Sequence, residues 1–528
     1  MDATNKPGET ENARVARAAG VVGLATMLSR VFGFIRDMVV AAIFGAGFAT
    51  DAFFVAFRIP NLLRRLFAEG SLTISFVPVF TEYLKTRSRQ EALELANVAF
   101  TMLSVILVFV SIAGVLLSPL IVSVMAPGFL AAPDKYALTV FLTRIMFPYI
   151  FFISLVALCM GILNSLRHFA SPALSPVILN IAMILAALFL QDFFEEPILA
   201  LAVGVMIGGL LQLLFQIPFL GRLGVHLRPD WNFRHPGVKR IGLLMLPAVF
   251  GAAVYQVNIF ISTLLASFLP EGSVSYLYYA DRLVELPLGV FAIAIGTAAL
   301  PSFSEQATKG EFGEMKKTIA FSLRLILFIT IPAMIALIAL RVPIISVLFE
   351  RGEFGLQSTI LTAQALLCYA VGLWAFSTIR VIVAAFYALQ DTKTPVRIAI
   401  VALIVNTVMS VILMFPLKHG GLALATSIAS AVNVVTLSVI LARRIGPFLD
   451  REFRMSVLKF SAASIAMWGV IEAVSRLMAW RDDGPFNERL LILAAAIAVG
   501  GATFFIASYL LKSREMTRVM EIFRQRLR

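Results

Sequence analysis

The chain has 528 residues, 60% of them hydrophobic and only 14% charged, with a formal net charge of +13. Soluble domains carry about 25% charged residues, so this composition, with a mean hydropathy of +0.91, excludes a large soluble enzyme and indicates an all-α polytopic membrane protein. In a soluble chain the positive balance would suggest nucleic acid as partner; here it reads as a basic surplus in the loops on one membrane face, with no nucleic acid implied.

The chain opens on a polar segment, 1–20, that lacks the basic start and short apolar core of a cleaved signal peptide. The first apolar stretch is therefore expected to do the targeting. A helix crosses the bilayer in about 20 apolar residues. By that measure about fourteen transmembrane helices are expected, at 21–44, 50–80, 95–125, 137–165, 172–191, 197–220, 240–268, 273–303, 318–348, 358–388, 395–416, 420–442, 455–477 and 488–511. Several exceed one span and contain Pro60, Pro78, Gly70, Pro287, Gly296 or Pro301, which predicts bent helices.

Alternate connections carry the basic residues. They include Lys85, Arg87 and Arg89, then Arg222 to Arg240, then Arg443, Arg444, Arg451 and Arg454, and the tail from Lys512 to Arg528. The other connections hold few, Lys135 and Lys418 among them, beside acids such as Asp192, Glu195 and Glu196. The positive-inside rule then places both termini in the cytoplasm and supports an even helix count.

An internal repeat is also present. At an offset of 223 residues, Leu199-Ala-Leu-Ala recurs from Leu422, Leu166 to Pro172 (LRHFASP) matches Leu389 to Pro395 (LQDTKTP), and Pro78 to Glu82 matches Pro301 to Glu305. The repeat maps the first six helices onto the next six. An even number per unit gives both halves the same orientation, so two six-helix lobes are expected, related by an axis along the membrane normal, with two extra C-terminal helices. The resulting organisation is a cytoplasmic N-terminal segment 1–20, an N-lobe 21–222, a linker 223–239, a C-lobe 240–444, the last two helices within 445–512 and a basic tail 513–528.

The chemistry concentrates in the first two stretches and the eighth. SRVFGFIRD contributes Arg30, Arg36 and Asp37; ATDAFFVAFRIPNLLRRLFAEG contributes Asp51, Arg58, Arg64, Arg65 and Glu69; YYADRLVELP contributes Asp281, Arg282 and Glu285. Each charge at membrane depth costs about 2.5–3.5 kcal/mol on insertion scales, so such residues face a protein interior or a wet cavity. Guanidinium stays charged and binds phosphate bidentately; a group of arginines suits a pyrophosphate, and the carboxylates can hold the arginines when no substrate is bound. The competing readings are snorkelling from a helix end for Arg64, Arg65 and Glu69, and structural ion pairs for Arg30, Arg36, Asp51, Asp281 and Arg282. Arg144 and Arg380 are further intramembrane candidates. Asn258 and Asn406 form either an interhelical hydrogen bond or part of a cation site. Cys159 and Cys368 lie in apolar segments and the four histidines in loops without ligand spacing, so neither a metal nor another cofactor is implied.

These segments resemble the MurJ (MviN) family, the lipid II flippases of bacterial peptidoglycan synthesis. SRVFGFIRD, GAGFATDAFFVAFRIPNLLRRLFAEG, SVSYLYYADRLVELP and LQDTKTP look like its hallmark segments, and the resemblance runs over essentially the whole chain. It implies the fold of the multidrug/oligosaccharidyl-lipid/polysaccharide exporter superfamily, with a cationic cavity between two lobes and a groove for the polyprenyl tail formed by the last two helices. It also implies substrate-binding roles for Arg30, Arg36, Asp51, Arg58, Arg64, Glu69, Asp281, Arg282 and Glu285. Some members carry a sodium site with carboxylate ligands in the second lobe; the matching helices here offer only Asn258 and Asn406.

The resulting expectation is a non-enzymatic flippase of the bacterial inner membrane. It would move lipid II, the undecaprenyl-pyrophosphate-linked disaccharide-pentapeptide, from the cytoplasmic to the periplasmic leaflet by alternating access. Its partners would be lipid II, membrane lipids and other cell-wall synthesis proteins. Three alternatives stand beside it: a flippase for another polyprenyl-linked saccharide, a cation-coupled multidrug exporter of the same superfamily, and a membrane-embedded glycosyltransferase or phosphatase. The drug exporter would favour acids and aromatics over arginines. The enzyme would need a group of Asp, His or Glu at the water interface, which the short loops do not offer.

Overall fold

The computed structural model describes residues 11–65, 72–478, 480–481 and 484–517. Every regular element among them is helical. Contacts divide the chain into two units, Met1–Phe268 and Leu269–Arg528. The first unit contains α1 (Glu11–Phe44), α2 (Phe48–Leu63), α3 (Thr73–Thr86), α4 (Arg89–Leu116), α5 (Ser118–Met125), α6 (Pro133–Met146), α7 (Tyr149–Ser165), α8 (Ala170–Phe189), α9 (Leu199–Arg222) and α10 (Pro236–Ala266). The second contains α11 (Ser273–Pro287), α12 (Ile293–Thr308), α13 (Phe312–Ala339), α14 (Arg341–Phe349), α15 (Leu356–Ala370), α16 (Leu373–Ala388), α17 (Lys393–Leu417), α18 (His419–Ile445), α19 (Arg451–Leu477) and α20 (Phe486–Leu510).

Ten helices or helical runs among the described residues are long and apolar enough to cross a membrane, counting Pro133–Ser165 and Leu356–Ala388 as single runs. Much of their surface cannot be covered by protein: only 28% of the most apolar window of α4 is buried, at a mean hydropathy of 2.6. Phe109 and Leu116 on α4, Phe415 on α17 and Leu491 on α20 are all exposed. Apolar surface on that scale fits lipid as solvent, and the chain is a multi-pass membrane protein. The apolar stretches at 21–44, 50–80, 240–268 and 273–303 fall outside the ten. They lie on α1, on α2 and α3, on α10, and on α11 and α12.

The repeat extends to element boundaries. A shift of 223 residues carries both ends of α4, Arg89 and Leu116, onto those of α13, Phe312 and Ala339. The same shift carries the start of α8, Ala170, onto Lys393 of α17, and the last residue of α9, Arg222, onto Ile445 of α18. It also relates two helix ends in detail. Arg167 and Gln390 are left-handed, with φ 63° and 57°. The amides of His168 and Asp391, one residue on, donate to Leu163 O at 2.8 Å and Phe386 O at 3.0 Å. This is a Schellman cap without its usual glycine, a conformation that costs a side-chain-bearing residue about 1–2 kcal/mol.

Within lipid, helices associate through close packing and hydrogen bonds rather than through the hydrophobic effect. On α9, Gly204 and Gly208 are four apart and face α8, where a β-carbon would lie 2.7 Å from Ala186 Cβ or 2.7 Å from Leu179 Cδ1. Buried Gln212 on the same helix donates to Ser175 O at 3.0 Å. The first unit's core joins Phe76, Phe80, Leu95 and Ile162. The second joins Phe303, Ile319, Phe328, Phe386 and Phe460. The α10 helix packs on α3, α4 and α5, so the contact boundary falls at 268, later than the repeat boundary at 240.

In the second unit Asp391 replaces His168 of the first and closes the start of α17. Its carboxylate accepts from the Thr394 hydroxyl at 2.6 Å and amide at 2.9 Å, and pairs with Arg444 at 2.5 Å. The Thr394 hydroxyl and amide, with Arg444, hold this carboxyl at about 2, below its ordinary 3.8. Because the folded pKa is depressed, the stabilisation is complete above pH 4 and is lost as pH falls towards 2. Asp391→Ala should therefore cost about 1 kcal/mol at pH 7, read as a lower melting temperature in detergent. The difference from the unaltered chain should shrink as the pH is taken from 4 to 2.

Candidate functional site

In the first unit, α1 turns Arg36 and Asp37 towards α8. Arg36 and Asp37 are 8% and 3% exposed. The Arg36 guanidinium donates to Asp37 Oδ1 at 2.6 and 3.1 Å and to Asn180 Oδ1 on α8 at 3.0 Å. Asn180 completes the link by donating to Ser29 O at 3.2 Å. Asp37 and Asn180 thus help hold Arg36, and α1 is tied to α8 by polar bonds that span two of its turns. Arg30, nearer the start of the helix, is exposed.

The second helix begins after a left-handed Gly45 (φ 65°), whose carbonyl accepts from the Thr50 hydroxyl at 3.1 Å. Asp51 stands in the first turn, where the positive end of the helix dipole favours a carboxylate. It is 1% exposed and pairs with Lys135 Nζ of α6 at 2.8 Å. Lys135, itself 6% exposed, lies 4.5 Å from the centre of the Phe129 ring. A lysine expected in a connection is therefore a buried counter-ion, and Asp51 faces its ammonium. Two turns on, half-buried Arg58 donates to the Thr263 hydroxyl of α10. Arg64 is half-buried at the end of α2 and Arg65 is exposed. Glu69 lies outside the described residues.

In the second unit, Asp281 and Glu285 are exposed on α11 and Arg282 is half-buried between them. Arg282 donates to Glu285 Oε2 and to the Tyr278 hydroxyl, each at 3.0 Å, and lies 4.8 Å from the Tyr278 ring centre. The structure therefore joins Arg36 with Asp37 and Arg282 with Glu285. It leaves Arg144 and Arg380 exposed.

Two half-buried charge clusters in the second unit were not legible in advance. Arg489 of α20 donates to Ser346 Oγ at 2.7 Å and Glu350 Oε1 at 2.9 Å, at the end of α14. Arg324 of α13 bonds Glu452 of α19 at 2.5 Å and Glu515 at 3.2 Å. Each partner reads alone as a loop or interface residue, and only the packing of α19 and α20 on α13 and α14 brings them together. No group of three or more His, Cys, Asp or Glu side chains is placed to hold a metal among the described residues.

Residues 40–481 match the family model described as lipid II flippase MurJ. A probable lipid II flippase MurJ of Vibrio cholerae serotype O1 is 39% identical over 513 residues, covering 96% of this chain and 98% of that protein. The lipid II flippase MurJ of Burkholderia cenocepacia is 39% identical over 432 residues, covering 81% of this chain and 84% of that one. Among solved structures, a lipid II flippase MurJ in an inward closed conformation superposes with a TM-score of 0.78 at 29% identity, over 93% of this chain and 98% of that one. A multidrug resistance MATE family transporter of the MOP superfamily, inward-facing, gives 0.63 at 16% identity over 81% of this chain and 98% of its own, a likeness of fold alone.

The Asp51–Lys135 pair sets a direct test. Breaking a buried pair leaves an uncompensated charge and costs about 3–5 kcal/mol, whereas replacing both ions by apolar groups is often near neutral. Asp51→Leu or Lys135→Met alone should lower the melting temperature by several degrees. The Asp51→Leu/Lys135→Met double variant should melt above either single one, which a thermal unfolding series in detergent would measure.

Proposed function

The chain belongs to the lipid II flippase MurJ family, and from that premise we propose that it carries lipid II across the bacterial inner membrane, from the cytoplasmic to the periplasmic leaflet, without catalysing a reaction. The observation that carries this reading is the alignment, over 96% of the chain, with a relative named for that activity. The chemistry of the site agrees with it. Lipid II presents a pyrophosphate on a polyprenyl tail, and guanidinium groups set in apolar helices suit that anion.

The partners of those groups suggest how the site works. Arg282 is held by an exposed carboxylate and a phenol hydroxyl, and Arg58 by a threonine hydroxyl. A phosphate offers oxygens of higher charge density than either hydroxyl and replaces the carboxylate one for one. In this proposal Arg30, Arg36, Arg58, Arg64 and Arg282 meet the pyrophosphate in turn, while Asp51, Glu69, Asp281 and Glu285 hold the basic groups between cycles. The transport cycle is alternating access through a cationic cavity, built from two six-helix lobes within fourteen crossings. Both termini are then cytoplasmic, and α19 and α20 serve the polyprenyl tail.

A flippase for another polyprenyl-linked saccharide would use the same phosphate chemistry, and the test must therefore identify the lipid. In cells depleted of their own flippase and expressing this chain, leaflet-selective labelling should show lipid II reaching the outer face. Arg282→Ala should cut that exposure by about ten-fold or more, the loss of a hydrogen bond to a charged group, with the protein still inserted. Unchanged outer-face lipid II on depletion and re-expression would remove the lipid II assignment; full activity of Arg282→Ala would remove the arginine from the site.

A further inference from the structure

A second cationic site lies in the second unit, where α19 begins and α20 ends. Arg451, Glu452, Met455 and Lys459 of α19, with Lys512 and Arg514 from the segment after α20, line a cleft of about 440 Å³. None of these residues belongs to the charged segments that the proposed transport uses.

The cleft has a fixed floor. Glu515, 3% exposed, accepts from Ser456 Oγ at 3.2 Å and Ser513 Oγ at 3.0 Å, and pairs with Arg324 at 3.2 Å. Glu452 takes both Arg324 and Arg514, at 2.5 and 2.8 Å. One wall is fixed by the backbone. Lys512 is left-handed at φ 52° and closes α20, with the Ser513 amide donating to Ser508 O at 3.0 Å. Its carbonyl accepts from Lys459 Nζ at 3.1 Å. Five cations thus stand against two carboxylates, and both carboxylates are already engaged with guanidinium groups. The Arg451 and Lys512 side chains make no hydrogen bond or ion pair among the described residues.

The surroundings identify the occupant. α19 and α20 are both long and apolar enough to cross the bilayer. Met455 and Leu458 on α19 are 47% and 62% exposed, and Tyr509 and Leu510 on α20 are 61% and 71% exposed. Met455 therefore lines the cleft and further exposed apolar side chains neighbour its basic residues along α19 and α20, at the end of a helix pair long and apolar enough to cross the bilayer. A free anion has no use for exposed apolar surface beside its site. We propose that the cleft seats the phosphodiester of an anionic bilayer phospholipid, with its acyl chains along Leu458 and Leu510; basic side chains near a membrane surface attract anionic lipid in this way. Its basic residues are none of those assigned to the pyrophosphate, although α19 and α20 are also the helices proposed to serve the polyprenyl tail.

The test uses the full-length protein in detergent with phosphatidylglycerol or phosphatidylcholine added and bound lipid counted by native mass spectrometry. Phosphatidylglycerol should be retained selectively. Arg451→Gln/Lys459→Gln/Lys512→Gln should weaken that retention about ten-fold or more. Lys459→Arg/Lys512→Arg should keep it, as should Arg476→Gln at the other end of α19. Should the triple variant fail to melt cooperatively, Lys512→Gln, an exposed position away from the floor, decides the matter through a loss of about three-fold or more. Unchanged phosphatidylglycerol retention in the glutamine variants overturns the proposal. So does displacement of the lipid by inorganic phosphate at equal concentration, which would make the cleft a site for free phosphate.

Discussion

An ionised side chain at the centre of a bilayer costs about 2.5–3.5 kcal/mol, and much of the arrangement of both units follows from meeting that cost. Arg36 is tolerated because Asp37 and Asn180 take its donors, which ties α1 to α8. Asp51 is tolerated because Lys135 faces it, which ties α2 to α6. In lipid the hydrophobic effect does not hold helices together, so these bonds act with close contacts such as that of Gly204 and Gly208 with α8. The same demand for partners gives function its opening. In the proposed function Arg282 and Arg58, which have an exposed glutamate and a hydroxyl among their partners, turn to the phosphate of the substrate.

The duplicated helix plan shows which parts of the fold are scaffold and which have diverged. α4 and α13 keep identical lengths at the repeat offset, and the left-handed caps at Arg167 and Gln390 coincide. The caps have then been elaborated differently: the second has gained the Asp391, Thr394 and Arg444 cluster. The larger departures involve the helices outside the repeat. α19 and α20 are tied to the second unit at both of their ends, by Arg324 with Glu452 and Glu515 at one and by Arg489 with Glu350 and Ser346 at the other. A hairpin fixed in this way is a firm wall, suited to the lipid-facing role proposed for it.

Much of the helical plan was legible in the sequence because apolar length and proline position dictate it locally. The repeat was legible for the same reason, since motifs such as LRHFASP and LQDTKTP mark helix ends. Arg36, Asp37, Arg282 and Glu285 were legible as charges in apolar stretches, but their pairing was not, because each charged segment offers more than one acid within reach of its arginines. Lys135 was not, because its partner stands 84 residues away and a single lysine at the start of an apolar stretch looks like a loop residue. Arg324 and Arg489 were missed on the same ground: each carboxylate partner comes from another helix, and only tertiary packing sets that distance. The position of α10 also lay beyond sequence reasoning. The repeat equates it with α1, which packs on α8, yet α10 packs on α3, α4 and α5.

The proposed function reduces to one physical statement: permanently charged side chains in apolar helices recognise the diphosphate of a lipid-borne substrate. The most direct measurement is the affinity of the purified protein for a polyprenyl pyrophosphate, compared with the same polyprenyl chain bearing a neutral headgroup, across a range of salt. Tighter binding of the pyrophosphate, weakening as ionic strength rises, is the predicted result. Equal affinity for the charged and neutral lipids at every salt concentration would contradict the account.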